Sequence, residues 1–150
     1  MIHMNELQIF SNEEFGEIRT MDIKMKDFMG TFYILEYGNF LKIGSSKRPY
    51  KRLKQLERQA TKYADLVVGK FAISIPHTNY KDNEKQLHKL FANCRKQGTE
   101  LFEINFADAL AIIEKEDIVY EDRTAEMNRK ADAFTNGMKS FLLGGTKWNC

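Results

Sequence analysis

The stretch from Thr31 to Pro49 constrains the fold more than any other part of the chain. Thr31-Phe32-Tyr33-Ile34-Leu35-Glu36 is rich in β-branched and aromatic residues, which suit a pleated, packed surface. Tyr37-Gly38-Asn39 is turn chemistry, and Phe40-Leu41-Lys42-Ile43 reads as a second strand returning beside the first. Strands joined by a tight turn are antiparallel, so a purely parallel sheet is excluded. Gly44-Ser45-Ser46 ends the pair. Pro49 falls in the first turn of the next element, where its missing N–H costs nothing.

Beyond Pro49 the spacing changes. Tyr50, Leu53, Leu56, Ala60 and Tyr63 recur at three and four residues, which predicts an amphipathic helix. Leu66 to Ile75 reads as a third strand closed by Pro76, and a second helix is expected over about residues 79–96. Gly98 breaks the chain before a short apolar strand, Leu101-Phe102-Glu103-Ile104. Phe106, Ala109, Leu110 and Ile113 mark a third helix. Residues 4–28 read as a short hairpin: Leu7 to Phe10 alternates weakly, Ser11 to Gly16 supplies a turn, and Glu17 to Ile23 alternates strictly. The tail, 121–143, places Met127, Ala131, Phe134, Met138 and Phe141/Leu142 at helical spacing, and Gly144-Gly145 is expected to end it. Such a helix needs a partner surface, and a homodimer formed through it is one expectation. The order β-β-α-β-α-β-α predicts an α/β (α+β) domain with an antiparallel or mixed sheet. The expected division is an arm or hairpin at 1–29, a domain at 30–120 and a helical tail at 121–150.

A chain of 150 residues suits one such domain, and its abundant Phe, Tyr, Ile and Leu exclude disorder along the whole length. Cys94 and Cys150 form neither a disulfide framework nor a CxxC site. The sequence has no signal-peptide pattern and no apolar run of the roughly 18 residues that a membrane span requires, so a cytoplasmic protein with no membrane partner is expected. The net charge of +2 announces no polyanionic partner by itself. The distribution is more informative: Lys42, Lys47, Arg48, Lys51, Arg52, Lys54, Arg58 and Lys62 crowd one stretch broken only by Glu57. That stretch fits either a phosphate-binding patch or an ordinary solvated helix face.

Four side chains carry candidate chemistry. Tyr33 and Lys42 sit on partner strands, where paired positions lie about 5 Å apart, so they can share one face. Tyr33 also fits a core aromatic with its hydroxyl at the edge. Arg52 flanks the apolar stripe of its helix; a guanidinium there can grip phosphate oxygens bidentately, or simply face solvent. Glu84 interrupts the stripe Tyr80, Leu87, Phe91, Cys94, where an apolar residue is expected. An inward carboxylate is costly unless it is paired or binds a cation. His88, one turn on, is either half of a metal site or a hydrogen-bonded helix histidine; His3 and His77 give no zinc spacing.

The run Thr31-Phe32-Tyr33-Ile34-Leu35, then Leu41-Lys42-Ile43-Gly44-Ser45, Pro49 and Arg52, resembles the signature of the GIY-YIG endonuclease superfamily. Glu84, Leu87, His88 and Phe91, followed by Gly98-Thr99-Glu100-Leu101-Phe102, resemble its phage and mobile-element branch. The resemblance covers about residues 30–115. It implies a small three-stranded antiparallel sheet flanked by helices, and hydrolysis of a DNA strand with one divalent ion, Mg²⁺ or Mn²⁺. It implies that Tyr33 activates the attacking water, Arg52 holds the scissile phosphate and Glu84 binds the metal, with Lys42 standing where the signature has its second tyrosine. With His88, these form the expected catalytic set. Lys47, Arg48, Lys51 and Arg58 are the expected DNA contacts. A bacterial host cell is then the expected location. A non-catalytic DNA-binding or regulatory protein, antirepressor-like, on the same scaffold is the alternative. Residues 4–23 also resemble the first strands of the amino-terminal domain of Bro-type phage antirepressors.

Overall fold

The computed structural model describes residues 7–143. Five strands form one antiparallel sheet in the order β1-β4-β2-β3-β5. They are β1 (Gln8–Phe10), β2 (Thr31–Tyr37), β3 (Phe40–Ser46), β4 (Val68–Ile73) and β5 (Leu101–Phe102). The helices are α1 (Arg19–Lys24), α2 (Pro49–Gln59), α3 (Tyr80–Leu90), α4 (Phe106–Glu114) and α5 (Thr124–Leu143). The α+β class and the element order from Thr31 onward are as the sequence predicts, while the sheet has five strands where the resemblance implies three. Two ends differ: Gly44-Ser45-Ser46 continues β3, paired with Tyr33, Phe32 and Thr31, instead of ending it, and the second helix stops at Leu90, short of residue 96.

The β2–β3 hairpin is the centre of the molecule. Tyr37 pairs with Phe40, leaving Gly38-Asn39 as a two-residue turn. Gly38 has φ +63°, and a side chain there would also meet Leu66 at 2.7 Å. Alternation along β2 then divides the core. Phe32 and Ile34 face one layer with Leu87, Phe91, Phe102, Ala109 and Ile113, beneath α3 and α4. Tyr33 and Leu35 face the other layer with Leu53, Leu56, Ala60, Phe71 and Ile73, beneath α2. Each fully buried Leu or Ile contributes roughly 1.5–3 kcal/mol.

α2 begins on Pro49 and buries Pro49, Leu53 and Leu56 on one stripe. It runs into a wider turn, Ala60–Ala64, and stops where Asp65 adopts a left-handed conformation at φ 49°. Asp tolerates that region better than most residues. Beyond α4, residues 118–123 are tied to the start of α3. Asn79 and Asn83 donate to the Val119 carbonyl, both at 2.9 Å, and the Thr78 amide donates to the Glu121 carbonyl at 2.8 Å. His77 is locked beneath this strap. Its Nδ1 bonds the Ile75 carbonyl at 2.7 Å, and its Nε2 accepts from Asn83 at 3.0 Å.

The amino-terminal segment differs from the expected hairpin. Gln8–Phe10 is a strand, but it pairs with β4 at the sheet edge. Residues 12–18 form 3-10 turns that lead directly into α1, so Glu17 to Ile23 is helical. Phe15 and Ile18 are buried and Met21 is half-buried, a three-residue rhythm that overrides the two-residue alternation. The Glu14 carboxylate accepts from the Ser11 amide at 2.9 Å and the Ser11 hydroxyl at 3.0 Å, reciprocal capping that starts a helix. Residues 4–6 of the expected hairpin and the Gly144-Gly145 stop lie outside the described residues. α5 forms as predicted. From Asn128 to Leu142 every side chain is exposed, Phe134, Met138, Phe141 and Leu142 among them.

Candidate active site

β3 pairs with β5 only at Leu41 and Lys42, so Ile43 to Ser46 form a strand edge without a β5 partner. The candidate residues gather around that edge. Tyr33 pairs with Gly44, and its ring lies across the glycine: a Cβ at Gly44 would stand 2.5 Å from the Tyr33 hydroxyl. Glycine here makes room for the phenol. Tyr33 is 1% exposed, so water reaches it only where its neighbours open. Burial pushes its pKa above the ordinary value of 10; a hydrogen bond and positive charge from Arg52 pull the other way, and the charges of Glu84 and Glu100 push it further up. The Tyr33 hydroxyl is therefore a neutral phenol at pH 7.

Arg52 reaches this position from the first turn of α2, with Nη1 donating to Gln55 at 2.9 Å. Glu84 approaches from α3, on the opposite face of the sheet. Its Oε1 accepts from the Ser45 hydroxyl at 2.5 Å, and its Oε2 lies 3.4 Å from His88 Nε2. Ser45 and Gly44 point to opposite faces of β3, so one strand edge serves both Tyr33 and Glu84. Glu84 is half-buried rather than fully inward, which lowers the cost expected for a carboxylate on an apolar stripe. His88 donates through Nε2 to the Ile43 carbonyl at 2.8 Å and meets the Phe102 ring edge-on at 5.2 Å. This fits the hydrogen-bonded helix histidine, with the imidazole holding α3 against β3.

Lys42 shares the Tyr33 face but pairs with Leu35, one step along the hairpin. Its ammonium lies 3.8 Å from Glu100 and 5.9 Å from the Tyr37 ring centroid. Arg52, rather than Lys42, is thus the cation that acts on the Tyr33 hydroxyl. Glu100 and Ser45 were not picked out by spacing. Glu100 lies in the Gly98-Thr99-Glu100 turn, and only the long-range pairing of β5 with β3 brings it to the site. An open groove of about 500 Å³ runs alongside, lined by Tyr37, Lys42, Arg95, Thr99 and Glu100 among others.

Lys47, Arg48, Lys51 and Arg58 are all exposed. Lys54 leaves this basic face: it bonds Glu57 at 2.7 Å and covers the Phe15 ring. A second groove, about 450 Å³, lies at the far end of α2 from Arg52, between Arg58, Lys62, Val67 and Val68.

The donor set around Glu84 is a carboxylate and a hydroxyl, both hard oxygen ligands with lone pairs to spare. Among the described residues no group of three or more His, Cys, Asp or Glu side chains could hold a metal ion, so Glu84 is at most a single protein carboxylate ligand, the number a hydrated Mg²⁺ or Mn²⁺ needs.

The family model described as the T5orf172 domain matches residues 30–117. The chain belongs to the T5orf172 domain family. The T5orf172 span takes in Tyr33, Lys42, Arg52, Glu84 and His88, and it begins after the amino-terminal segment with the Bro-type resemblance. No curated protein and no solved structure matches the chain. Membership of the T5orf172 family is compatible with a phage-associated protein that is nuclease-like or binds DNA. Among the described residues, no helix is long and apolar enough to cross a membrane.

Proposed function

We propose that this chain is a metal-dependent endonuclease of the GIY-YIG type, cutting phosphodiester bonds in DNA. The observation that carries the reading is that neighbouring residues of β3 serve both sheet faces, Gly44 packing against Tyr33 on the α2 face and Ser45 bonding Glu84 on the α3 face, beside a basic helix face.

In this reading a strand of DNA lies along the exposed cations Lys47, Arg48, Lys51 and Arg58 and the groove beside Lys42. Arg52 grips a non-bridging oxygen of the scissile phosphate and stabilises its growing negative charge. Moving toward the phosphate, its guanidinium uncovers the Tyr33 hydroxyl. Water attacks phosphorus, the bond from phosphorus to the leaving sugar oxygen breaks, and the water's proton passes to the Tyr33 oxygen. Burial makes that oxygen a poor base, so the step depends on the positive charge of Arg52 to favour the phenolate, and in this reading Lys42 holds the DNA strand from the same sheet face. Glu84, oriented by Ser45, is the ligand for one Mg²⁺ or Mn²⁺ ion. When bound, the ion supplies positive charge at the leaving oxygen.

The test is incubation of supercoiled plasmid and of single-stranded DNA with the purified chain, in Mn²⁺ or in EDTA. Nicking that requires the metal supports the reading. Salt-sensitive binding without cleavage in Mn²⁺ would favour a DNA-binding or regulatory protein on the same scaffold.

A further inference from the structure

The amino-terminal segment lies outside the span matched by the family model, yet it holds the helix that carries Arg52. α1 presents Asp22 to the first turn of α2. The Tyr50 amide donates to Asp22 Oδ1 at 2.8 Å, and the Lys51 amide donates to Oδ2 at 3.0 Å. These are the first free donors of the helix. Pro49 has no N–H, and the Arg52 amide already bonds the Arg48 carbonyl at 2.9 Å. One carboxylate therefore satisfies the start of α2 and places negative charge at the positive end of its dipole. A second link lies beside it. Arg19 Nη2 donates to the Tyr50 hydroxyl at 3.2 Å, and the guanidinium sits 5.2 Å from that ring's centroid.

Arg52 directly follows the two residues that Asp22 holds, so any shift of this turn moves the guanidinium. The same contacts close the helix terminus to a phosphate and leave the Arg52 side chain as the anion-binding group. We propose that Asp22 is a positioning residue: through Tyr50 and Lys51 it fixes the first turn of α2 and so sets Arg52 against the Tyr33 hydroxyl. The proposal rests on the catalytic reading of Arg52 above. It makes the site of this chain dependent on a segment that the family span does not include.

The test is a double-mutant cycle on the full chain, with Asp22→Ala, Arg52→Ala and the double variant. Each is checked by circular dichroism and assayed on a defined duplex in Mn²⁺. Asp22→Ala is expected to lower kcat about ten- to hundredfold, the scale of a misplaced catalytic group, while KM for DNA stays within about twofold. In the Arg52→Ala background, the same change is expected to cost less than about twofold. Asp22→Asn keeps one acceptor oxygen, should fall between, and serves where the alanine variant does not fold. Equal losses in both backgrounds, or a change in KM alone, would overturn the proposal. A readout independent of cleavage is titration of Tyr33 by NMR of ¹³C-labelled tyrosine. Asp22→Ala should raise the Tyr33 pKa, and should have no such effect once Arg52 is gone. If the wild-type chain does not cut DNA, this titration decides alone. A shift keeps the positioning role while the nuclease reading falls, and no shift removes the positioning role as well.

Discussion

At the scale of single residues, the Tyr33 hydroxyl sets most of what can be tested. If its oxygen takes the water's proton, cleavage should rise with pH above neutrality toward its raised pKa, because only the phenolate form is active. Tyr33→Phe should cost roughly 10²–10⁴ in rate and flatten that rise; a variant keeping more than half the activity removes the role. Gly44→Ala pushes a methyl into the phenol, so a loss of at least about tenfold is expected with the fold intact by circular dichroism. His77 gives a separate stability prediction. Burial lowers its pKa below 6.5, so the folded chain binds that proton less readily than the unfolded chain. The resulting stability is present above about pH 6.5 and is lost as pH falls toward the depressed value. Thermal melts from pH 7.5 to 5 should show the decline, and His77→Gln should reduce its slope; an unchanged slope contradicts this account. Among the residues of the site, Glu84 is visible from physics alone, because a carboxylate interrupts an apolar stripe. Tyr33 and Arg52 are not: a strand tyrosine and a helix arginine are too common, and they stand out only through the family pattern.

At the scale of elements, α2 has two functions on two faces. Leu53 and Leu56 anchor it in the core, and Leu53→Ala should cost about 2–5 kcal/mol in a denaturant titration. The exposed face carries Lys51 and Arg58. Replacing either with Ala should weaken binding to all DNA sequences alike and reduce the slope of log affinity against log salt by about 0.9. A sequence-selective loss would mean that these side chains read bases instead. The four elements β2, β3, α2 and α3 are legible in the sequence by type because each has a strong period, but the ends of β3 and α3 are not, since pairing with β2 carries β3 through Gly44-Ser45-Ser46 and α3 stops at Leu90. The segment from Ser11 to Lys24 is less so. Its two-residue alternation fits a strand, and its Phe15–Ile18–Met21 spacing fits a helix equally well. The Ser11–Glu14 capping pair is the local signal that decides between them. α5 is legible as an amphipathic helix, and Phe134 and Phe141 are both more than 60% exposed. Replacing both with Ser should therefore leave the melting temperature of the dilute chain almost unchanged.

At the scale of the whole molecule, the features hardest to read are those that join distant segments. Asp22 meets Tyr50 across 28 residues, Glu84 meets Ser45 across 39, and β1 pairs with β4 across more than 60. No local period reports such contacts, because they follow from how two helix layers close on one sheet. The same closure explains why the site lies where it does. β5 is too short to cover β3 beyond Lys42, and the uncovered edge receives one group from each layer. The central claim is that Tyr33, Arg52 and Glu84 act as one unit on one phosphate. Groups that act as a unit are strongly non-additive when removed. The most direct measurement is Mn²⁺-dependent nicking of a defined duplex by the wild type, by Tyr33→Phe, Arg52→Ala and Glu84→Gln singly, and by the triple variant. The account predicts that each single variant loses nearly as much rate as the triple variant, while all remain folded. Losses that multiply across the three sites, or cleavage by Glu84→Gln at the wild-type rate, would contradict it.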